Sequence, residues 1–203
     1  EMDRTKQLES ILLNRLTTNY TYFMREPKHF DFLREKILPN IKPEWGRISY
    51  QIWCAGCSSG EECYTLAMLL QDYKDQGGWL PSFSIVGTDI SEQALAVAQK
   101  GRYPVRELEN IPALWQQKYL SMDEAGTSFD IGRAIREKVR FQRMNLLKPS
   151  VGLGQYDLVL CRNVMIYFNE ESRKKLIEKL YRALKPGGYL FVGHTELLPR
   201  NHE

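Results

Sequence analysis

The chain has 203 residues, 43% of them hydrophobic and 26% charged, enough for one sizeable domain with its own core. Its 28 basic and 25 acidic residues leave a net charge of +3, too near balance to indicate a nucleic-acid partner. No apolar run approaches the roughly 18 residues of a membrane span, and the polar start EMDRTKQLES lacks the apolar region of a signal peptide. A cytoplasmic protein without membrane insertion is therefore expected.

Taken in chain order, Leu8, Ile11, Leu12 and Leu16 fall on one face of a helix. LTTNYTYFMREP follows without a clean period, as a site loop would. Phe30, Leu33, Ile37 and Leu38 mark a second amphipathic helix closed by Pro39. RISYQIWCAG reads as a strand ending at its first glycine. EECYTLAMLLQDY reads as a helix with Leu66, Ala67, Leu70 and Tyr73 on one side. FSIVGTDI is a second buried strand, and Ser91 is a good N-cap for a short helix through Ala94, Leu95 and Ala98.

Residues 101–138 break this rhythm and read as an insertion with a short helix around ALWQQKYL and small antiparallel strands. VRFQRMNLL and YDLVLCRNV are further strands, the latter with the continuous apolar character of a parallel-sheet interior. EESRKKLIEKLYRAL is an amphipathic helix with Leu176, Ile177, Leu180, Tyr181 and Leu184 inward. Pro186, Gly187 and Gly188 terminate it before the strand GYLFVGH. Strands alternating with helices imply an α/β fold, a doubly wound, mostly parallel sheet. Ligands of such sheets bind at the carboxyl ends of the strands, here AGCSSGEE, TDIS, MNLL and CRNVMIY.

Three of the four cysteines, Cys54, Cys57 and Cys63, crowd around AGCSSGEE. One C-x-x-C pair without a second, and with His29, His194 and His202 distant in sequence, favours small buried residues over a metal site. The turn also departs from G-x-G-x-x-G, and no Lys follows its last glycine as a P-loop requires. Glu61 and Glu62 stand where a diphosphate would arrive, and like charges about 4 Å apart at an effective dielectric of 20 repel by several kcal/mol. A cationic ligand reverses that sign. S-adenosylmethionine, with a sulfonium and an ammonium, suits a small-residue turn with an acid at its rim, and Asp89 at the end of the second strand is placed for ribose hydroxyls. The competing reading makes Glu61 and Glu62 simply dipole-stabilising acids of a first helical turn.

TTNYTYFMREP, WCAGCSSGEECYTLAM, and CRNVMIYF followed by LKPGGYLFVGHTE together resemble the chemotaxis receptor methyltransferases of the CheR type, in the family's order, from about Leu16 to Glu196. The resemblance implies a class I, Rossmann-like methyltransferase domain over residues 17–203 with a small β-subdomain inserted at about 101–138. Residues 1–16 would be the linker or last helix of an N-terminal helical domain. It also implies methyl transfer from S-adenosylmethionine to glutamate side chains of chemoreceptor cytoplasmic helices, leaving S-adenosylhomocysteine. Asn19, Thr21 and Arg25 should meet the cofactor, with Arg25 pairing its carboxylate. Gly56 should let the backbone approach, Glu61 should take the ammonium and Asp89 the ribose, while Glu62 becomes a helix-start residue. Asn145 and Leu146 should lie near the adenine, with Leu147 in the core. Arg162, Asn163 and Tyr167 should lie beside the methyl group, Arg162 and Tyr167 orienting the acceptor carboxylate. No metal is implied, and a monomer is expected.

DEAGTSFDIGRAIREKVRF is a few residues shorter than in members that bind a receptor's C-terminal pentapeptide tether, which points to a tether-independent enzyme. The family's terminal antiparallel strand would follow GYLFVGH, and ELLPRNHE stops short of it. The alternatives to this reading are a cofactor-binding or receptor-docking module without turnover, and the same chemistry in another sensory array. A nicotinamide dehydrogenase is set aside by the acidic turn.

Overall fold

The computed structural model describes residues 20–42, 49–148 and 155–196; the first expected helix, Leu8 to Leu16, and Asn19 lie outside them. The chain enters helix α1 (Pro27–Phe32) with Pro27 at its first position, where a missing N–H is harmless. It continues through a π-helical turn, Leu33–Ile37, into a 3-10 turn, Leu38–Asn40. Phe30, Leu33, Ile37 and Leu38 are all buried along this run, as their spacing predicts. The π turn was not legible in that spacing.

The central sheet comprises β1 (Ser49–Ala55), β2 (Ser82–Asp89), β6 (Val139–Arg143), β7 (Tyr156–Cys161) and β8 (Leu184–Val192). Their order is β6-β2-β1-β7-β8, and each of the four pairings in this sheet is parallel among the described residues. The chain lays β2 and β6 on one side of β1, then returns to lay β7 and β8 on the other. The reversal beside β1 opens a crevice at the carboxyl ends of β1, β2 and β7.

Side-chain alternation divides the sheet into two cores. Ile52, Cys54, Leu158 and Leu160 face α1 and helix α2 (Glu61–Asp75). Trp53, Ala55, Val159 and Cys161 face helix α6 (Glu170–Ala183), which brings Leu176, Ile177, Leu180 and Ala183. Helix α3 (Glu92–Lys100) starts where expected, with Ala94 N–H donating to Ser91 Oγ at 3.2 Å. Tyr181, expected inward, is 76% exposed. The stripe of Leu176, Leu180 and Ala183 satisfies the face toward the sheet and leaves the tyrosine on its solvent flank. Leu184 likewise opens β8 rather than closing α6, and Lys185–Gly188 form an irregularity in that strand.

The expected insertion forms a three-stranded antiparallel sheet, ordered β3-β5-β4, from β3 (Arg102–Pro104), β4 (Leu120–Met122) and β5 (Ser128–Ile131). Helices α4 (Ala113–Tyr119) and α5 (Arg133–Arg136) complete it. It is fused to the first core: Tyr103 and Phe129 ring centroids lie 5.0 and 5.9 Å from that of Phe23. Asp72, buried on α2, accepts bonds from Arg34 at 3.0 Å and from Lys118 of α4 at 3.3 Å. These contacts bury α2 on nearly every side, so Tyr64, Met68 and Leu69 join the expected Leu66, Ala67 and Leu70 in the core.

Glu61 lies in the seam between this subdomain and the β1–α2 turn. Its carboxylate accepts from Ser59 Oγ at 2.8 Å, and the carbonyl of Ser59 accepts from Tyr103 Oη at 2.7 Å. Burial lifts the Glu61 pKa to about 7, and nearby Glu107 adds to the rise against the Ser59 hydroxyl and Glu61's own amide. The folded protein thus holds a proton that the unfolded chain releases near pH 4.5, so this stability is full below that pH and is lost as pH rises to about 7. Glu61→Gln cannot ionise. From about pH 5 to pH 8 it should lose less stability than wild type, by up to about 3 kcal/mol in denaturant melts. Parallel pH dependences would show that Glu61 ionises normally.

Candidate functional site

β1 gives way to a turn at Gly56, whose φ of 81° is left-handed. The amides of Gly56 and Cys57 both donate to Thr88 O, at 2.8 and 2.9 Å, which pins the turn to the end of β2. A Cβ at Gly56 would stand 2.4 Å from Val164 Cγ2, so only glycine fits this approach. Ser58 adopts φ 49° and donates its amide to Asp89 Oδ2 at 2.8 Å, while Ser91 N–H reaches Asp89 Oδ1 at 2.9 Å. Two backbone donors therefore fix the Asp89 carboxylate at the strand end and leave its other lone pairs as acceptors. The Ser58 hydroxyl is buried without a hydrogen-bond partner among the described residues.

A cavity of about 440 Å³ opens over this turn, lined by Thr21, Arg25, Gly56, Asp89, Asn145, Leu146, Arg162, Asn163 and Tyr167 among others. The structure thus gathers the expected site residues from five separate chain segments, with two corrections. Glu61 does not line the cavity; Glu62 does. One helical residue turns a side chain by about 100°, so the neighbours diverge, Glu61 into the subdomain seam and Glu62 toward the sheet. Leu147, expected in the core, is 41% exposed on the cavity wall, while Leu146 is buried against the second core. The Asn145 carboxamide oxygen accepts from Leu147 N–H at 2.9 Å, and this local turn directs the two leucines apart.

Beyond β7, Arg162 has a side chain only 2% exposed. Its Nη1 donates to Glu62 Oε2 at 2.9 Å, and its Nη2 and Nε reach Glu26 Oε2 at 3.1 and 3.4 Å. Nη2 also donates to the Arg25 carbonyl. The guanidinium lies over the Phe30 ring, 5.3 Å from its centroid. Burial pushes the Glu62 pKa up, and Glu26 adds to that rise while Arg162 opposes it. Next along, Asn163 takes φ 59° and donates Nδ2 to Glu26 Oε1 at 3.2 Å. Glu196 then accepts the amides of Asn163, Met165 and Gly193, at 2.9, 2.6 and 2.8 Å, tying this loop to the end of β8. Tyr167 ends the 3-10 turn that follows and is 49% exposed at the cavity wall.

Sequence reasoning missed Glu26 and Glu196, although both lie within the segments TTNYTYFMREP and VGHTE that it singled out. Their partners are remote in sequence, so no local spacing signals the role. All four cysteines are free and buried. Burial pushes the Cys54 thiol up to about 11, which disfavours the thiolate that metal binding or redox exchange requires. No helix among the described residues is long and apolar enough to cross a membrane.

A cation-bearing nucleoside fits this donor set: carboxylates at Glu62 and Asp89, a glycine cradle and an unfilled hydroxyl. Comparison with known proteins agrees. A family model described as "CheR methyltransferase, SAM binding domain" matches residues 19–203. A chemotaxis protein methyltransferase of Borreliella burgdorferi is 39% identical over 194 residues, 94% of this chain and 68% of the relative. Chemotaxis protein methyltransferase 1 of Pseudomonas aeruginosa is 34% identical over 94% of this chain and 70% of its own. Among solved structures, PKMT2 of Rickettsia typhi shares the fold, with a TM-score of 0.50 at 16% identity over 85% of this chain and 26% of that one. The chain belongs to the CheR methyltransferase family and carries that family's S-adenosylmethionine-binding domain.

Proposed function

We propose that the protein transfers a methyl group from S-adenosylmethionine to glutamate side chains of a chemoreceptor's cytoplasmic domain, as a protein-glutamate O-methyltransferase. The observation that carries this reading is the joint placement of Glu62, Asp89 and Arg162 on one cavity at the carboxyl ends of β2 and β7 and the start of α2. Glu62 would hold the cofactor's ammonium, Asp89 its ribose hydroxyls, and Arg25 with Thr21 its carboxylate. Asn145 and Leu146 would receive the adenine, and Asn163 would line the space beside the methyl group. Asn19, outside the described residues, stays a candidate on the resemblance alone.

When bound, the cofactor supplies an electrophilic methyl group whose transfer leaves a neutral thioether. The protein's task is alignment. A glutamate carboxylate, with a reference pKa near 4.3, is already ionised at neutral pH and needs no general base. Holding one of its oxygens in line with the methyl carbon is worth several kcal/mol of the barrier. Arg162, engaged by two carboxylates and a carbonyl, organises the rim, which leaves Tyr167 to orient the incoming carboxylate. The connection between β4 and β5 is short, and the Asp123 carboxylate closes it by accepting bonds from Thr127 and Ser128. Its shortness supports engagement of the receptor without a pentapeptide tether.

The reading is tested with methyl-labelled cofactor and a receptor cytoplasmic fragment, followed by alkali. A carboxyl ester releases volatile methanol; label that resists alkali, or cofactor binding without transfer, would overturn it. In the same assay Tyr167→Phe should lower kcat roughly tenfold or more, the loss of one oriented hydrogen bond. Its cofactor affinity should stay within about twofold, and unchanged turnover would remove Tyr167 from the site. Gly56→Ala, by contrast, should act on the cofactor. It places a methyl 2.4 Å from Val164 Cγ2 on a left-handed backbone, and titration calorimetry should show at least about tenfold weaker binding of S-adenosylhomocysteine. Wild-type affinity would mean that the turn does not carry the cofactor.

A further inference from the structure

Glu26 does not line the cavity, yet it organises a residue that does. Its Oε2 holds the Nη2 and Nε of Arg162 at 3.1 and 3.4 Å, and its Oε1 accepts from Asn163 Nδ2 at 3.2 Å. It sits directly before α1 with φ at 56°, unusual for a residue with a side chain. The other non-glycine residues at positive φ among those described are Met24, Ser58 and Asn163; Ser58 and Asn163 line the cavity, and Met24 directly precedes Arg25, which also does. Backbone held in such conformations is over-determined by its surroundings and concentrates at functional positions.

The charge of Glu26 is committed to Arg162. Burial alone would raise its pKa, but Arg162, the Asn163 amide and the backbone N–H of His194 outweigh that and hold it below the ordinary carboxylate value. His29 Nδ1 lies 3.3 Å from the same Oε2, and the His29 and His194 rings are 5.2 Å apart. Burial and Arg162 both push the His29 pKa down, so a neutral imidazole faces Glu26 and does not compete for its charge. Of the five N–H groups of a guanidinium, Arg162 directs two at Glu26, one at Glu62 and one at the Arg25 carbonyl, which among the described residues leaves a single Nη1–H uncommitted.

Esterification removes the acceptor's negative charge. A bare guanidinium at the cavity wall would grip the ionised acceptor more strongly than the transition state, and such preferential ground-state binding slows the chemical step. We infer that Glu26 is a positioning residue that keeps Arg162 neutralised and fixed, so that the acceptor glutamate is aligned without being held tightly. The inference rests on the methyl-transfer reading above.

The test compares wild type with Glu26→Gln, which keeps the shape and one carbonyl oxygen but removes the charge, and with Glu26→Asp, which keeps the charge. In Glu26→Gln, kcat should fall about tenfold while KM for the receptor fragment also falls. In calorimetry, the variant loaded with S-adenosylhomocysteine should bind that fragment at least about threefold more tightly than wild type does. S-adenosylhomocysteine affinity itself should stay within about twofold, which reports a folded cofactor site. Glu26→Asp should recover part of kcat and the wild-type fragment affinity. Weaker fragment binding in Glu26→Gln, a parallel loss of cofactor affinity, or wild-type kcat and KM would each overturn the inference. If wild type itself gives no alkali-labile methyl group, the functional reading falls and takes this inference with it. Wild-type turnover with an unaltered Glu26→Gln overturns the inference alone.

Discussion

A guanidinium buried at the carboxyl end of β7 constrains everything around it. A charge taken out of water is destabilising unless it is paired and fully hydrogen-bonded, and Arg162 meets that demand from two remote segments. Glu62 comes from the first turn of α2, Glu26 and the Arg25 carbonyl come from the loop before α1, and Phe30 supplies the ring beneath. The loop of residues 20–26 has no regular structure of its own, and its position over the sheet follows from this pairing. Met24 N–H bonding to Thr65 Oγ1 at 3.2 Å adds a second anchor on α2. Removing one carboxylate from such a cluster leaves a buried charge under-compensated, so each acid of the cluster sets how strongly Arg162 acts on the cavity beside it.

Around that cluster, carboxylates aimed at backbone amides do much of the remaining work. Asp89 holds the turn after β1 through Ser58, and Glu196 holds the loop after β7 through Asn163 and Met165. In each case a loop at a strand end, which would otherwise leave buried N–H groups unpaired, is fixed by an acid from a neighbouring segment. Of these acids Asp89 lines the cavity, together with Glu62. Two carboxylates on that wall suit a ligand that brings a sulfonium and an ammonium.

The subdomain contributes by burial. Tyr103 and Phe129 pack on Phe23, in the same loop that carries Arg25 and Glu26, so the aromatic seam supports the site from behind. Glu61 belongs to that seam, and its raised pKa reflects a carboxyl group enclosed between the turn and the subdomain, where burial outweighs the bonds from a hydroxyl and its own amide.

Much of this was legible in the chain itself. Alternating apolar strands and amphipathic helices determined the parallel sheet, because period and burial are local properties of sequence. Ser91 as a cap and Gly56 as a turn residue were equally local, and the acidic turn with Asp89 identified the charge class of the ligand. What only the tertiary structure decided were the relations between segments. Which of two adjacent glutamates reaches the cavity depends on where the subdomain lies relative to α2, and so Glu62, not Glu61, faces Arg162. Tyr181 and Leu147 were misplaced for the same reason: apolar character predicts that a side chain is buried somewhere, whereas the neighbours available to cover it are set by packing. Glu26 was invisible as a site residue because its partner lies 136 residues away, and no spacing rule joins a carboxylate to a guanidinium across that distance until the fold brings them to 3.1 Å.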